Sequence, residues 1–134
     1  MDLSTFEELV ANGVLYYQIT IDGEEESHNK LRPLANGHPT YDRIISNIIS
    51  IKKFSKSRHF RITIRSNVGE TSFARYSLFL EDLKRQLGND RRFIFNCEKI
   101  IDWGGDGLER IRDDLMIEQG IYFAYLSNKY VAIN

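Results

Sequence analysis

Three stretches of this chain alternate between apolar and polar residues, and helix-forming stretches separate them. In the first, Tyr17, Ile19 and Ile21 take one side while Gln18, Thr20 and Asp22 take the other. In the second, Phe60, Ile62 and Ile64 oppose Arg61, Thr63, Arg65 and Asn67; in the third, Phe93, Phe95 and Cys97 oppose Ile94, Asn96 and Glu98. Successive side chains of a strand point to opposite faces, so each strand has one apolar and one largely polar face. A parallel sheet covered by helices on both faces reads instead as continuous apolar runs. Burying these polar groups unpaired would cost about 1–3 kcal/mol each, and charges more. The polar face is therefore expected to border water or a polar ligand. The competing reading is an antiparallel or edge sheet with one face in solvent, and the alternating helices weigh against it.

Around these strands the pattern predicts a regular order. Ser4 or Thr5 caps a short helix carrying Phe6, Leu9 and Val10, with Glu7 and Glu8 in its first turn and Asn12-Gly13 as its stop. A strand over 14–21 follows. Residues 22–39 hold both prolines and read as one long loop, a length that usually signals function. Thr40 caps a helix with an apolar stripe of Ile44, Ile45, Ile48, Ile49 and Ile51, and Lys52, Lys53 and Lys56 complement its carbonyl end. The second strand spans 59–66. A helix over 71–87 turns Phe73, Tyr76, Phe79, Leu80 and Leu83 inward and closes at Gly88-Asn89, and a third strand spans 92–101. Beyond the Trp103–Gly107 loop come a fourth helix to Met116 and a strand pair over 120–133.

Such alternation specifies right-handed βαβ units and a parallel sheet. Three units do not close a barrel and leave bare sheet edges. The expected architecture is a single α/β domain over 1–134: a partial (β/α) barrel with a C-terminal strand pair, completed by further chain or by a second copy in a homodimer.

Composition narrows the partners. Eighteen basic residues face 19 acidic ones, a formal net charge of −1, which gives no electrostatic case for nucleic acid or an anionic membrane. Cys97 is the single cysteine, so neither an intramolecular disulfide nor a cysteine-rich metal or iron–sulfur site is expected from this chain alone. A lone thiol, an acidic N-terminus without an apolar run, and no stretch near the roughly 20 apolar residues of a membrane span predict a cytoplasmic protein. No Gly-rich strand-to-helix loop of phosphate-binding form is present, which weakens the reading of a small phosphate-binding protein.

In open or barrel α/β sheets ligands sit at the carboxyl ends of strands. Asp22-Gly23, Asn67-Val68-Gly69 and Glu98 lie at such ends. The Asp22 carboxylate either bonds ribose-like hydroxyls or folds the turn, as Asp-Gly pairs do.

The run Gln18-Ile19-Thr20-Ile21-Asp22-Gly23, then His28-Asn29-Lys30-Leu31-Arg32-Pro33, then Gly37 and Thr40 to Ile48, closely resembles the middle of radical S-adenosylmethionine enzymes. The nearest match is their SPASM-containing branch, the anaerobic sulfatase-maturating enzymes and related peptide maturases. The resemblance starts near Leu3, runs to about Asn96, and is specific around residues 18–48. It implies a partial (β/α)6 barrel in which a [4Fe–4S] cluster reductively cleaves S-adenosylmethionine and the radical formed abstracts hydrogen from a peptide side chain. It further implies that Thr20 meets the ribose or methionine end of the cofactor and that Arg32 pairs with its carboxylate. A guanidinium fork suits that task, since it binds carboxylate bidentately; the alternative for Arg32 is a solvated loop arginine. Gln18 and Asp22 complete the expected cofactor side, with Asp22 orienting Arg32 or His28 or only holding the turn. His28 either titrates or satisfies loop carbonyls. Arg61, Thr63, Arg65 and Glu98 are the expected substrate side, unless Arg61 and Arg65 pair with Glu98 or Asp22. The cysteine triplet C-x3-C-x2-C and the Gly-Gly-Glu stretch of the family are absent, and Gly104-Gly105-Asp106 replaces neither. The resemblance thus implies a C-terminal half of a barrel, a fragment that contributes cofactor and substrate contacts without chemistry of its own.

Overall fold

A computed structural model describes residues 1–99, apart from the side chains of 70–74 and 99. The expected third-strand end, the glycine loop at 104–107, the fourth helix and the strand pair lie outside the described residues. The element order is α1 (Leu3–Ala11), β1 (Tyr16–Thr20), α2 (Glu25–Leu31), α3 (Tyr41–Phe54), β2 (Arg61–Val68), α4 (Glu70–Leu87) and β3 (Phe93–Lys99).

The strands form one sheet in the order β1-β2-β3, and both pairings are parallel. Sequential order with right-handed crossovers sends both connecting segments to the same face of the sheet. Burial agrees. On one face Ile62 and Ile64 are 0% exposed and Phe93 is 1% exposed, packed with Ile48 and Ile51 of α3 and Tyr76, Phe79, Leu83 and Leu87 of α4. Phe6 of α1 joins this core edge-on to Phe60, with ring centroids 4.7 Å apart. The described chain is thus an open α/β sheet with its helices on one side.

Local chemistry accounts for most boundaries. In α1 the cap is Asp2, whose Oδ1 accepts from the Thr5 amide at 2.9 Å. Neither Ser4 nor Thr5 caps it, and Glu7 and Glu8 fall beyond the first turn because the helix opens earlier than their position suggested. Asn12 and Gly13 do end it, Gly13 at φ +85° where a side chain is disfavoured. The expected long loop at 22–39 contains α2, seven residues with Glu25 and Glu26 in the first turn and Lys30 in the last. That charge order favours a helix, but its lack of an apolar stripe hid it from a periodicity reading. In α3 four of the five stripe isoleucines face inward as expected, with Ile48 and Ile51 buried and Ile44 and Ile45 packed against the core, while Ile49 is half-buried outside it. Thr40 does precede it, yet its hydroxyl does not cap. The Asn29 side chain does, accepting from the Thr40 and Tyr41 amides at 2.9 and 3.0 Å.

Candidate functional site

Strand register assembles the polar face. Thr20 pairs with Arg65 and Arg65 with Asn96, so a hydroxyl, a guanidinium and a carboxamide form one row across the three strands. Gln18, Thr63 and Ile94 form the row before it, and Tyr16 lies beside Arg61. Adjacent strands lie about 4.8 Å apart, close enough for one small ligand to span such a row. Gln18 and Arg61 are exposed, and Thr20, Thr63, Arg65, Asn96 and Glu98 are half-buried. The contrast with the helix side is sharp there, where Ser66, the one polar residue among the β2 core positions, is sealed by donating to the Ile21 carbonyl at 2.6 Å.

Arg65 is the anomaly in the row. Its Nε is shielded from solvent without a hydrogen-bond partner, and so is Oδ1 of Asn96, its register neighbour. Such groups cost about 1–3 kcal/mol each when left unpaired. Among the described residues no ion pair joins Arg61 or Arg65 to Asp22 or Glu98, the alternative pairing that the sequence left open.

Asp22 and Arg32 stand together at the carboxyl end of β1. The Asp22 carboxylate is only 4% exposed. Its Oδ1 accepts from the Asn67 backbone amide at 2.8 Å and from Asn67 Nδ2 at 3.0 Å, clamping the end of β1 to the end of β2. Its Oδ2 accepts from Arg32 Nε, so Asp22 orients Arg32 as well as holding the turn. Arg32 is bound through Nε, its side chain is 47% exposed, and its two terminal nitrogens make no bond among the described residues. A guanidinium anchored at Nε presents those nitrogens as a fork for an oxyanion.

His28 locks the loop that carries Arg32. It is fully buried, its Nδ1 accepts from the Asp22 amide at 3.1 Å, and its Nε2 lies 3.0 Å from Thr40 Oγ1. Thr40 Oγ1 donates to the Arg32 carbonyl at 2.7 Å, so it accepts from His28, and the ring is neutral with its hydrogen on Nε2. Burial lowers the His28 pKa, partly opposed by the Asp22 charge and reinforced by that of Arg32. His28 therefore satisfies the loop and is not presented to a ligand. Gly23 at φ +83° makes the turn between β1 and α2, and a Cβ there would lie 3.5 Å from that of Ser27.

Sequence reasoning placed Asn67 and Asn96 on the polar face but gave them no role, and it gave none to Asn29. The usable signal for Asn67 was its position at a strand end beside an Asp-Gly turn, where a carboxylate needs donors. Cys97 registers with Ser66 and is buried on the helix side. Among the described residues no group of three or more His, Cys, Asp or Glu is placed to hold a metal ion. No helix among them is long and apolar enough to cross a membrane. No protein-family model, curated protein or solved structure matches this chain.

Proposed function

We propose that this chain is the ligand-holding C-terminal half of a radical S-adenosylmethionine barrel of the peptide-maturase kind. The observation that carries the reading is the row Thr20–Arg65–Asn96 on the sheet face away from the described helices, together with Arg32 at the carboxyl end of β1, bound through Nε alone among the described residues. S-adenosylmethionine offers a carboxylate, an ammonium, a ribose and a sulfonium. Arg32 suits the carboxylate bidentately, and the Thr20 hydroxyl suits a ribose or amino-acid group one row in. Asp22 keeps the guanidinium aimed, and Gln18 extends the polar surface towards the amino end of β1. Arg61, Thr63, Arg65 and Glu98 are left to face the peptide substrate. When cleaved reductively, the bound cofactor supplies the radical that abstracts hydrogen. The described residues do not furnish the thiolates of a [4Fe–4S] cluster, so the part assigned to this chain is to bind and orient.

The test is calorimetric titration of the chain with S-adenosylmethionine. Arg32→Ala and Thr20→Val are expected to weaken binding about tenfold each, the scale of one charge-assisted contact or a buried hydroxyl contact. Affinity unchanged in both variants contradicts the reading. A second reading, a non-catalytic half-barrel that dimerises, has in its favour the outer edge of β1, which no described strand covers and where Tyr16 is 77% exposed. Light scattering that returns twice the chain's 15.7 kDa mass, with no cofactor binding, would favour it.

A further inference from the structure

On the helix side of the sheet, residues of α2, α3 and α4 enclose a groove of about 510 Å³. Its floor is apolar, formed by Tyr41, Leu78 and Phe79. Leu78 is 66% exposed there although Phe79 beside it is 3% exposed and part of the core. The rim carries the carboxylates of Glu24, Glu25, Glu26 and Asp82, with Arg75 as the opposing cation. Among the described lining residues four carboxylates face one guanidinium, and Arg85 outside the lining lies 3.5 Å from Asp82, which leaves an excess of negative charge in a chain whose formal net charge is −1.

Arg75 does not quench that excess. Its Nη1 lies 2.9 Å from Glu24 Oε1 and 3.4 Å from Glu26 Oε2, on an exposed side chain. Glu24 Oε2 is shielded from water and has no hydrogen-bond partner. Tyr41 registers the same field: burial first, then the charges of Asp82, Glu25, Asp42 and Glu24, push its hydroxyl up to about 12. An apolar floor with a carboxylate rim complements a basic side chain with an aliphatic neighbour. A lysine or arginine stem covers apolar surface while its head reaches the exposed rim carboxylates.

We propose that this groove docks a polypeptide segment placing a lysine or arginine beside an aliphatic residue on one helix face. The groove and the polar face lie on opposite sides of the sheet, so each proposal can fail without the other. The probe is a fluorescein-labelled amphipathic helix of lysine and leucine, read by anisotropy against the full chain near physiological salt. Saturable binding is expected, weakened about tenfold in a Glu25→Gln/Asp82→Asn double variant and measurably in Leu78→Ser. A Glu7→Gln/Glu8→Gln variant, which removes the same charge from α1, is expected to bind as the parent does, with circular dichroism confirming that all variants fold. Equal loss in the α1 variant, an unchanged Leu78→Ser, or displacement of the peptide by equimolar spermine would each overturn the proposal. So would binding that competes with self-association of the chain.

Discussion

Half-buried Arg65 and fully buried His28 show how differently two polar residues are treated. The Nε of Arg65 has no partner, so the fold has little to lose when the charge is removed, provided the stem is replaced. Arg65→Met is expected to leave stability within about 0.5 kcal/mol or to raise it slightly. A fall of more than about 2 kcal/mol in a urea melt would mean that the guanidinium is a structural strut. His28 is the reverse case, with both ring nitrogens engaged. Folding keeps it neutral, while the unfolded chain takes up a proton near the ordinary value of 6.5. Its contribution is complete above that pH and is lost as pH falls towards the lowered folded value. Urea midpoints measured from pH 7.5 down to 5.5 should decline in the parent protein and stay nearly level in His28→Gln. The carboxylates with lowered pKa values, Asp90 beside Arg92 among them, lose their contributions only below the range of these midpoints, which keeps the two effects apart.

At the level of elements, the start of α3 depends on a residue of α2. Asn29 supplies the acceptor that Thr40 does not, so Asn29→Ala is expected to cost about 1 kcal/mol, within the usual range for a lost N-cap, and Thr40→Ala to act instead through the His28–Arg32 chain. A thermal melt of Asn29→Ala indistinguishable from the parent would refute this. The three strands, most of the stripe of α3 and the inward side of α4 at Tyr76, Phe79, Leu80 and Leu83 were legible in sequence because periods of two and of 3.6 leave direct marks in residue order; the Phe73 side chain lies outside the described residues. The polar face was legible for the same reason, and its row structure followed once the strands paired in parallel. What escaped was set by contacts across sequence. The helix α2 lacks an apolar stripe, the cap of α3 comes from Asn29, and the cap of α1 lies upstream of the serine and threonine that resemble caps. The Asp22–Asn67 clamp spans 45 residues, and no local pattern encodes it.

Across the whole molecule, the two ends of the sheet do different work. At the amino ends Arg92 fastens the structure: it pairs with Asp90 at 2.6 Å, donates to the Lys52 carbonyl at 3.0 Å and lies 4.8 Å over the Phe60 ring. Its side chain is only 11% exposed, and Arg92→Leu removes the partner of Asp90 and the donor to the Lys52 and Ser57 carbonyls, so a loss of about 2–4 kcal/mol is expected with ligand binding per folded molecule unchanged. At the carboxyl ends Asn67 clamps β2 to Asp22 of β1, while among the described residues Arg32 is bound through one nitrogen and Arg65 Nε has no hydrogen-bond partner. In the proposed ligand wall these carboxyl-end groups are the ones that meet the cofactor. Resonance shifts during titration with S-adenosylmethionine test it most directly. Shifts at Thr20, Arg32, Arg65, Asn67 and Asn96, with the Ile62, Ile64 and Phe95 amides still, are the predicted result. No shifts up to about 10 mM ligand, or shifts spread over α3 and α4, would contradict it.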